Sequence, residues 1–222
     1  MPANIAVSRS DAAVQSTNKL IRNTYSLLSL TLLFSAAACG LSMALGVGHG
    51  AGLVTSLIAM GLLWFALPRT ANSASGIGVV FAITGLLGFG LGPTLNAYLS
   101  LANGSEIVLT AMGGTGAIFL GLSGYALTTR RDFSFMGGFL VVGLLVVVGA
   151  SLLNIFLSIP AMSLATSAAV VLLMSGFILY DTSRMVNGGE TNYVLATISL
   201  YLNILNLFTS LLHLLGMTSN DD

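Results

Sequence analysis

Long apolar runs broken by short polar turns set the pattern of this chain. The runs lie near Tyr25–Val47, Ala51–Pro68, Gly76–Leu99, Ile107–Thr128, Phe135–Leu157, Ala161–Ser183 and Thr191–Gly216. Each has the roughly 18–26 residues that a helix needs to cross the hydrocarbon core of a bilayer. They predict seven transmembrane helices in an all-α membrane protein. Gly48-His49-Gly50, Pro68-Arg69, Asn103-Gly104, Ser158-Ile159-Pro160 and Asn187-Gly188-Gly189 supply the turns between them. The connections leave no room for a second domain. The expected organisation is a polar tail over residues 1–23, a seven-helix domain over 24–217 and a short outer tail over 218–222.

The last run departs from the others. Ser199, Asn203, Asn206, Ser210 and His213 follow one another at steps of four and three, which places them on one helix face. A polar stripe against lipid is unfavourable along its whole length, so this helix is expected to be wrapped by the rest of the protein.

Composition agrees with the pattern. The chain is 55% hydrophobic and 6% charged, against about 25% charged in a soluble domain. Seven basic residues balance seven acidic ones, which offers no basic surface to nucleic acid. Their placement is more telling. Arg9, Lys19 and Arg22 precede the first run, Arg69 follows the second, Arg130 and Arg131 follow the fourth, and Arg184 follows the sixth. All therefore fall on one side of the membrane, and the positive-inside rule makes that side cytoplasmic. The outer face receives Glu106 and the carboxyl end with Asp221 and Asp222. The leader lacks an early apolar core, so a cleaved signal is not expected. Cys39, the single cysteine, reads as a buried small residue in preference to a lipidation site.

Glycines crowd several spans, as in Gly85-Leu86-Leu87-Gly88-Phe89-Gly90-Leu91-Gly92 and Gly113-Gly114-Thr115-Gly116. Two readings stand: close helix packing, or a bend or gate, above all at Gly92-Pro93. Gly121-Leu122-Ser123-Gly124 imitates an intramembrane serine protease motif. Ser123 and His213, however, fall near opposite membrane faces, about 20 Å apart, and a base must be within about 3 Å. No catalytic residue is assigned. No cluster has metal-ligand spacing, although Asp181 with amides and carbonyls has the oxygen chemistry of a calcium ligand.

Intramembrane ionisable groups are rare, and Asp181 is therefore the first candidate for a site. In one reading it pairs with Arg184, three residues on along the same helix. In the other it faces the polar stripe of the last helix as a proton or cation site. Asp181 lies some 8 Å from the cytoplasmic end of its helix and Asn203 about 18 Å along the next. The two meet only if the last helix is offset along the membrane normal.

Three segments carry a resemblance. Ser123-Gly124-Tyr125-Ala126-Leu127-Thr128-Thr129-Arg130-Arg131-Asp132-Phe133-Ser134-Phe135-Met136-Gly137, Leu179-Tyr180-Asp181-Thr182, and Ser199-Leu200-Tyr201-Leu202-Asn203-Ile204-Leu205-Asn206-Leu207-Phe208 closely resemble the Bax inhibitor-1 family, also called the transmembrane BAX-inhibitor-motif family. Arg22-Asn23-Thr24-Tyr25 agrees more weakly. The resemblance implies six helices around a central seventh. It also implies a pH-sensitive calcium leak, in which aspartates of helices six and seven share a site near a basic residue ending helix two. Those positions are Asp181, Asn203 and Arg69, so an amide stands where the leak-type members carry the second acid. That substitution removes the shared proton of a carboxylate pair. It brings the chain nearer to the bacterial YccA-like branch of the family. Members of that branch resemble inner-membrane modulators, poorly degraded substrates of an FtsH-type AAA protease and its associated membrane proteins. The candidates for ion or pH sensing are then Asp181, Asn203, Arg69, Arg184 and Asn206. Arg9 and Lys19 belong to a tail that offers the protease a handle. No cofactor is expected, with calcium as a possible ion.

Overall fold

The computed structural model describes residues 3–218, with side chains from residue 14 onward. Arg9, as a side chain, and Asp221 and Asp222 lie outside the described residues. The described residues contain helices and no strands: α1 (Ala3–Ala44), α2 (His49–Gly61), α3 (Leu67–Thr70), α4 (Ser75–Leu99), α5 (Gly104–Thr129), α6 (Gly137–Leu157), α7 (Pro160–Val186) and α8 (Tyr193–Thr218). Seven segments are long and apolar enough to span a membrane, and α2 and α3 together form the second.

Six of the seven expected spans begin and end within about three residues of the observed helices. The first begins earlier, because the polar leader and the first span form one helix. Residues 3–39 contain neither glycine nor proline, so nothing in this stretch breaks the helix at the membrane boundary.

Helix two carries a feature that periodicity does not show. Between α2 and α3 the chain makes a π-helical turn over Leu62–Ala66, in which the Leu67 N–H reaches the Leu62 carbonyl. Pro68 accounts for it. Proline lacks an N–H and crowds the carbonyl four residues back, and a widened turn absorbs that clash. The Thr70 hydroxyl and the Arg69 guanidinium satisfy nearby carbonyls by donating to Ala66 (2.9 Å) and Phe65 (2.6 Å).

The last helix occupies the centre. Half of the apolar stretch of α8 is buried, against 11% for the span that contains α6. Helices α1, α4, α5 and α7 pack directly on it, while the second span leans on α4 and α6 on α7. Six helices thus surround a seventh, four in contact and two flanking.

Glycine spacing explains the tightest seam. A Cβ on Gly88 would collide with the Ser35 backbone oxygen, and one on Gly92 with the Ser42 hydroxyl. These positions let α4 lie against the backbone of α1, which is the packing reading of the cluster. The second cluster differs, since Gly113 and Gly116 face open space.

Candidate functional site

A tight turn fixes the register of α7 against α8. Gly188 takes a left-handed conformation (φ 78°), and the N–H groups of Gly189 and Glu190 close back onto the Arg184 carbonyl at 2.8 and 3.2 Å. This is the helix ending that glycine makes easy. Asn192 then caps α8, its side-chain oxygen accepting from the N–H groups of Val194 (2.8 Å) and Leu195 (3.2 Å). The Asn192 amide also donates to the Ala71 carbonyl at 3.0 Å, tying this corner to the end of the second span.

With that register, Asp181 meets the polar stripe. Its Oδ2 accepts from the Ser199 hydroxyl at 2.5 Å and from the Asn203 amide at 2.8 Å. Ser199 lies six residues into α8, about 9 Å, and Asp181 about 7.5 Å from the end of α7, so they sit at one depth. Asn203 is one turn deeper. Side chains tilt toward the N-terminus of their own helix. In an antiparallel pair, Asp181 therefore leans into the membrane and Asn203 leans back, which closes the gap.

Of the two sequence readings of Asp181, the contact with α8 is the one observed. Arg184 turns to the loop, where it donates to the Gly189 carbonyl at 2.7 Å, approaches Glu190 at 3.9 Å and lies over the Tyr180 ring at 5.6 Å. Arg69 is exposed and bonded within its own helix. The described partners of the Asp181 carboxylate are thus neutral donors. Asn206 is exposed and its amide folds back to the Leu202 carbonyl at 2.8 Å. A cavity of about 490 Å³ opens beside it between α6, α7 and α8, lined by Ser151, Met174, Phe177, Ser199, Asn203 and Asn206.

Sequence reasoning placed Ser199 in the stripe without giving it a role. Its signal was the four-residue step to Asn203, which makes two donors available to one acceptor on a neighbouring helix. Residue spacing does not show how the buried hydroxyls pair. Ser123 contacts Thr182 at 3.4 Å, and His213 contacts Ser163 at 2.7 Å and Tyr98 at 3.5 Å, so Ser123 and His213 have different partners. At the corner where α5 and α7 end, the Ser183 hydroxyl donates to the Arg131 carbonyl and accepts from the Phe133 N–H, both at 2.9 Å. In the same turn the Asp132 carboxyl is held below its ordinary range by hydrogen bonds from the Ser134 side chain and then its backbone N–H.

Comparison with known proteins adds a second line of observation. The family described as "Inhibitor of apoptosis-promoting Bax1" matches residues 17–220. A Vibrio cholerae relative described as an uncharacterized membrane protein is 52% identical over 206 residues, covering 93% of this chain and 92% of its own. An Escherichia coli K12 relative, "Modulator of FtsH protease YccA", is 47% identical over 217 residues, 98% of each chain. Its counterpart in E. coli O6:H1, matched to the same extent, is named "Inner membrane protein YccA".

Proposed function

Because the chain belongs to the Bax inhibitor-1 family, we propose that it is a multi-pass inner-membrane modulator of an FtsH-type membrane AAA protease. The observation that carries this reading is the near full-length similarity to the E. coli K12 protein of that name. The physical features fit a substrate that resists degradation. An apolar bundle with a buried central helix must be dismantled before it can be threaded, and the opening pull falls on α1, whose first turns precede the membrane. The arginine distribution supports a cytoplasmic amino terminus, where an AAA motor works. Arg9 and Lys19 lie in that stretch.

Co-purification with the protease and the lifetime of the protein in cells test the reading. Removal of residues 1–20 is expected to lengthen that lifetime and to relieve restraint on the protease. An unchanged lifetime together with no co-purification overturns it.

The Asp181–Asn203 contact favours a second reading, a cation or proton leak, with calcium as the ion carried. The amide at position 203 weakens it, because an Asp–Asn pair cannot share a proton as two carboxylates do. Calcium flux into liposomes at pH 6 and 8 decides. Flux above empty liposomes that Asp181→Asn abolishes establishes the leak; its absence leaves the modulator alone.

A further inference from the structure

A cleft of about 510 Å³ opens where the ends of α5 and α7 meet α1. Three elements wall it: α1 with Thr17, Asn18 and Ile21, the end of α5 with Leu127 and Arg130, and the end of α7 with Val186 and Asn187. Its volume lies within the range of small-ligand sites. The lining is amphipathic: Ile21, Leu127 and Val186 form an apolar part, and Thr17, Asn18, Arg130 and Asn187 a polar one.

Arg130 gives the cleft its sign. The residue caps α5 in the left-handed region (φ 53°), with its N–H bound to the Ala126 carbonyl at 3.0 Å, and so turns out of the helix at the cleft wall. No described carboxylate pairs with its guanidinium. The nearest acid along the chain, Asp132, accepts from the Ser134 N–H at 2.8 Å, and the ion pair among the described residues is Arg184 with Glu190. A guanidinium that no described carboxylate pairs, beside the Asn18 amide, is a phosphate-binding chemistry, whereas the Asn187 amide is held by the Arg131 and Ser183 carbonyls. A basic pocket between helix ends at the cytoplasmic surface matches the headgroup of an anionic phospholipid.

We propose that this cleft binds an anionic phospholipid, its phosphate against Arg130 and Asn18 and its first methylenes between Ile21, Leu127 and Val186. A soluble phosphate would use the polar part and leave the apolar part unfilled, and for that reason the lipid is the better fit. The lipid joins three segments that are distant in sequence, α1, α5 and α7.

The full chain, purified and placed in phosphatidylcholine nanodiscs doped with phosphatidylglycerol, permits the test, with retained lipid read by native mass spectrometry. The wild type is expected to retain phosphatidylglycerol preferentially. Arg130→Gln should weaken retention about fivefold, the contribution of one basic group at an anionic surface, and Arg130→Lys should keep most of it. Leu127→Phe, which fills the apolar part with the guanidinium intact, should also release the lipid. The proposal is overturned if Arg130→Gln or Leu127→Phe retains lipid as the wild type does. It is overturned equally if Arg69→Gln, at an exposed arginine outside the cleft, has the same effect as Arg130→Gln, or if inorganic phosphate at equal concentration displaces the lipid.

Discussion

Asn203→Leu tests the Asp181 contact most directly. Leucine is close to asparagine in size, so the variant leaves little cavity and removes mainly the amide that donates to Asp181 at 2.8 Å. Asn203 is only 7% exposed. A hydrogen bond to a charged group contributes about 1.5–3 kcal/mol, and leucine recovers about 0.5 kcal/mol through its better helix propensity. The expected net loss is about 1–2.5 kcal/mol, or roughly 2–10 °C in Tm for a chain of this size. The Asp181→Asn background supplies the control. There the acceptor is neutral, the bond contributes about 0.5–1.5 kcal/mol, and Asn203→Leu should change stability by no more than about 1 kcal/mol. Thermal unfolding of the four proteins in detergent, followed by circular dichroism, then gives a coupling of about 1–1.5 kcal/mol between the two positions. Equal losses in both backgrounds would refute a bond to an ionised carboxylate, and no loss in either would refute the bond altogether.

Two further outcomes follow from the geometry. Gly88→Val, which pushes a branched side chain into the Ser35 backbone, should lower stability by about 1–3 kcal/mol or more, whereas Gly113→Ala, facing open space, should be neutral or gain up to about 1 kcal/mol; unfolding curves of the two variants check the contrast. Asp132 has its carboxyl lowered by Ser134, so its contribution is complete above the ordinary aspartate range near pH 4 and is lost as pH falls through its lower folded value. Wild type and Asp132→Asn should therefore differ by a constant amount from pH 5 to 8 and converge only in acid, as pH-dependent unfolding will show.

The spans were legible because membrane insertion acts on the average polarity of some twenty residues, which a sequence states directly. The centrality of α8 was legible for a related reason: a stripe running from Ser199 to His213 is unfavourable against lipid, although its member Asn206 is exposed and satisfied by the Leu202 carbonyl. Depth was harder. Counting residues along α7 and α8 left Asp181 and Asn203 about 10 Å apart, and the contact depends on the opposed tilt of side chains in antiparallel helices and on the turn capped by Gly188 and Asn192. The π turn before Pro68 was hidden because proline announces a disturbed helix without saying whether it bends, breaks or widens. Arg184 illustrates a different limit. Spacing allowed a bond to Asp181, but the carbonyls and Glu190 of the following loop became its neighbours once the chain turned.

Under the proposed function, the hydroxyl network on α1 bears on how a chain with a handle for the protease could still resist extraction. Tyr201 on α8 has one phenolic proton and donates it to the Thr84 carbonyl on α4 at 3.1 Å. The Ser35 hydroxyl on α1 must then be the donor in its 2.6 Å contact with Tyr201. One buried chain of hydrogen bonds therefore links α1, α8 and α4 at the level where Gly88 admits the backbone of α1. Thr197 on α8 adds a bond to the Thr24 carbonyl at 3.3 Å, and Asn96 on α4 adds one to the Met43 carbonyl at 3.4 Å. A motor pulling on the amino-terminal turns loads these contacts together, since α1 is one helix from the tail to Ala44 and has no break at which to yield. In this account, resistance to extraction resides in the α1–α4–α8 seam and the tail sets only access. Gly88→Val should then shorten the lifetime of the full-length protein in cells that contain the protease and leave it unchanged when residues 1–20 are also removed. A lifetime that falls equally with and without the tail would place the defect in folding and would remove the seam from the explanation.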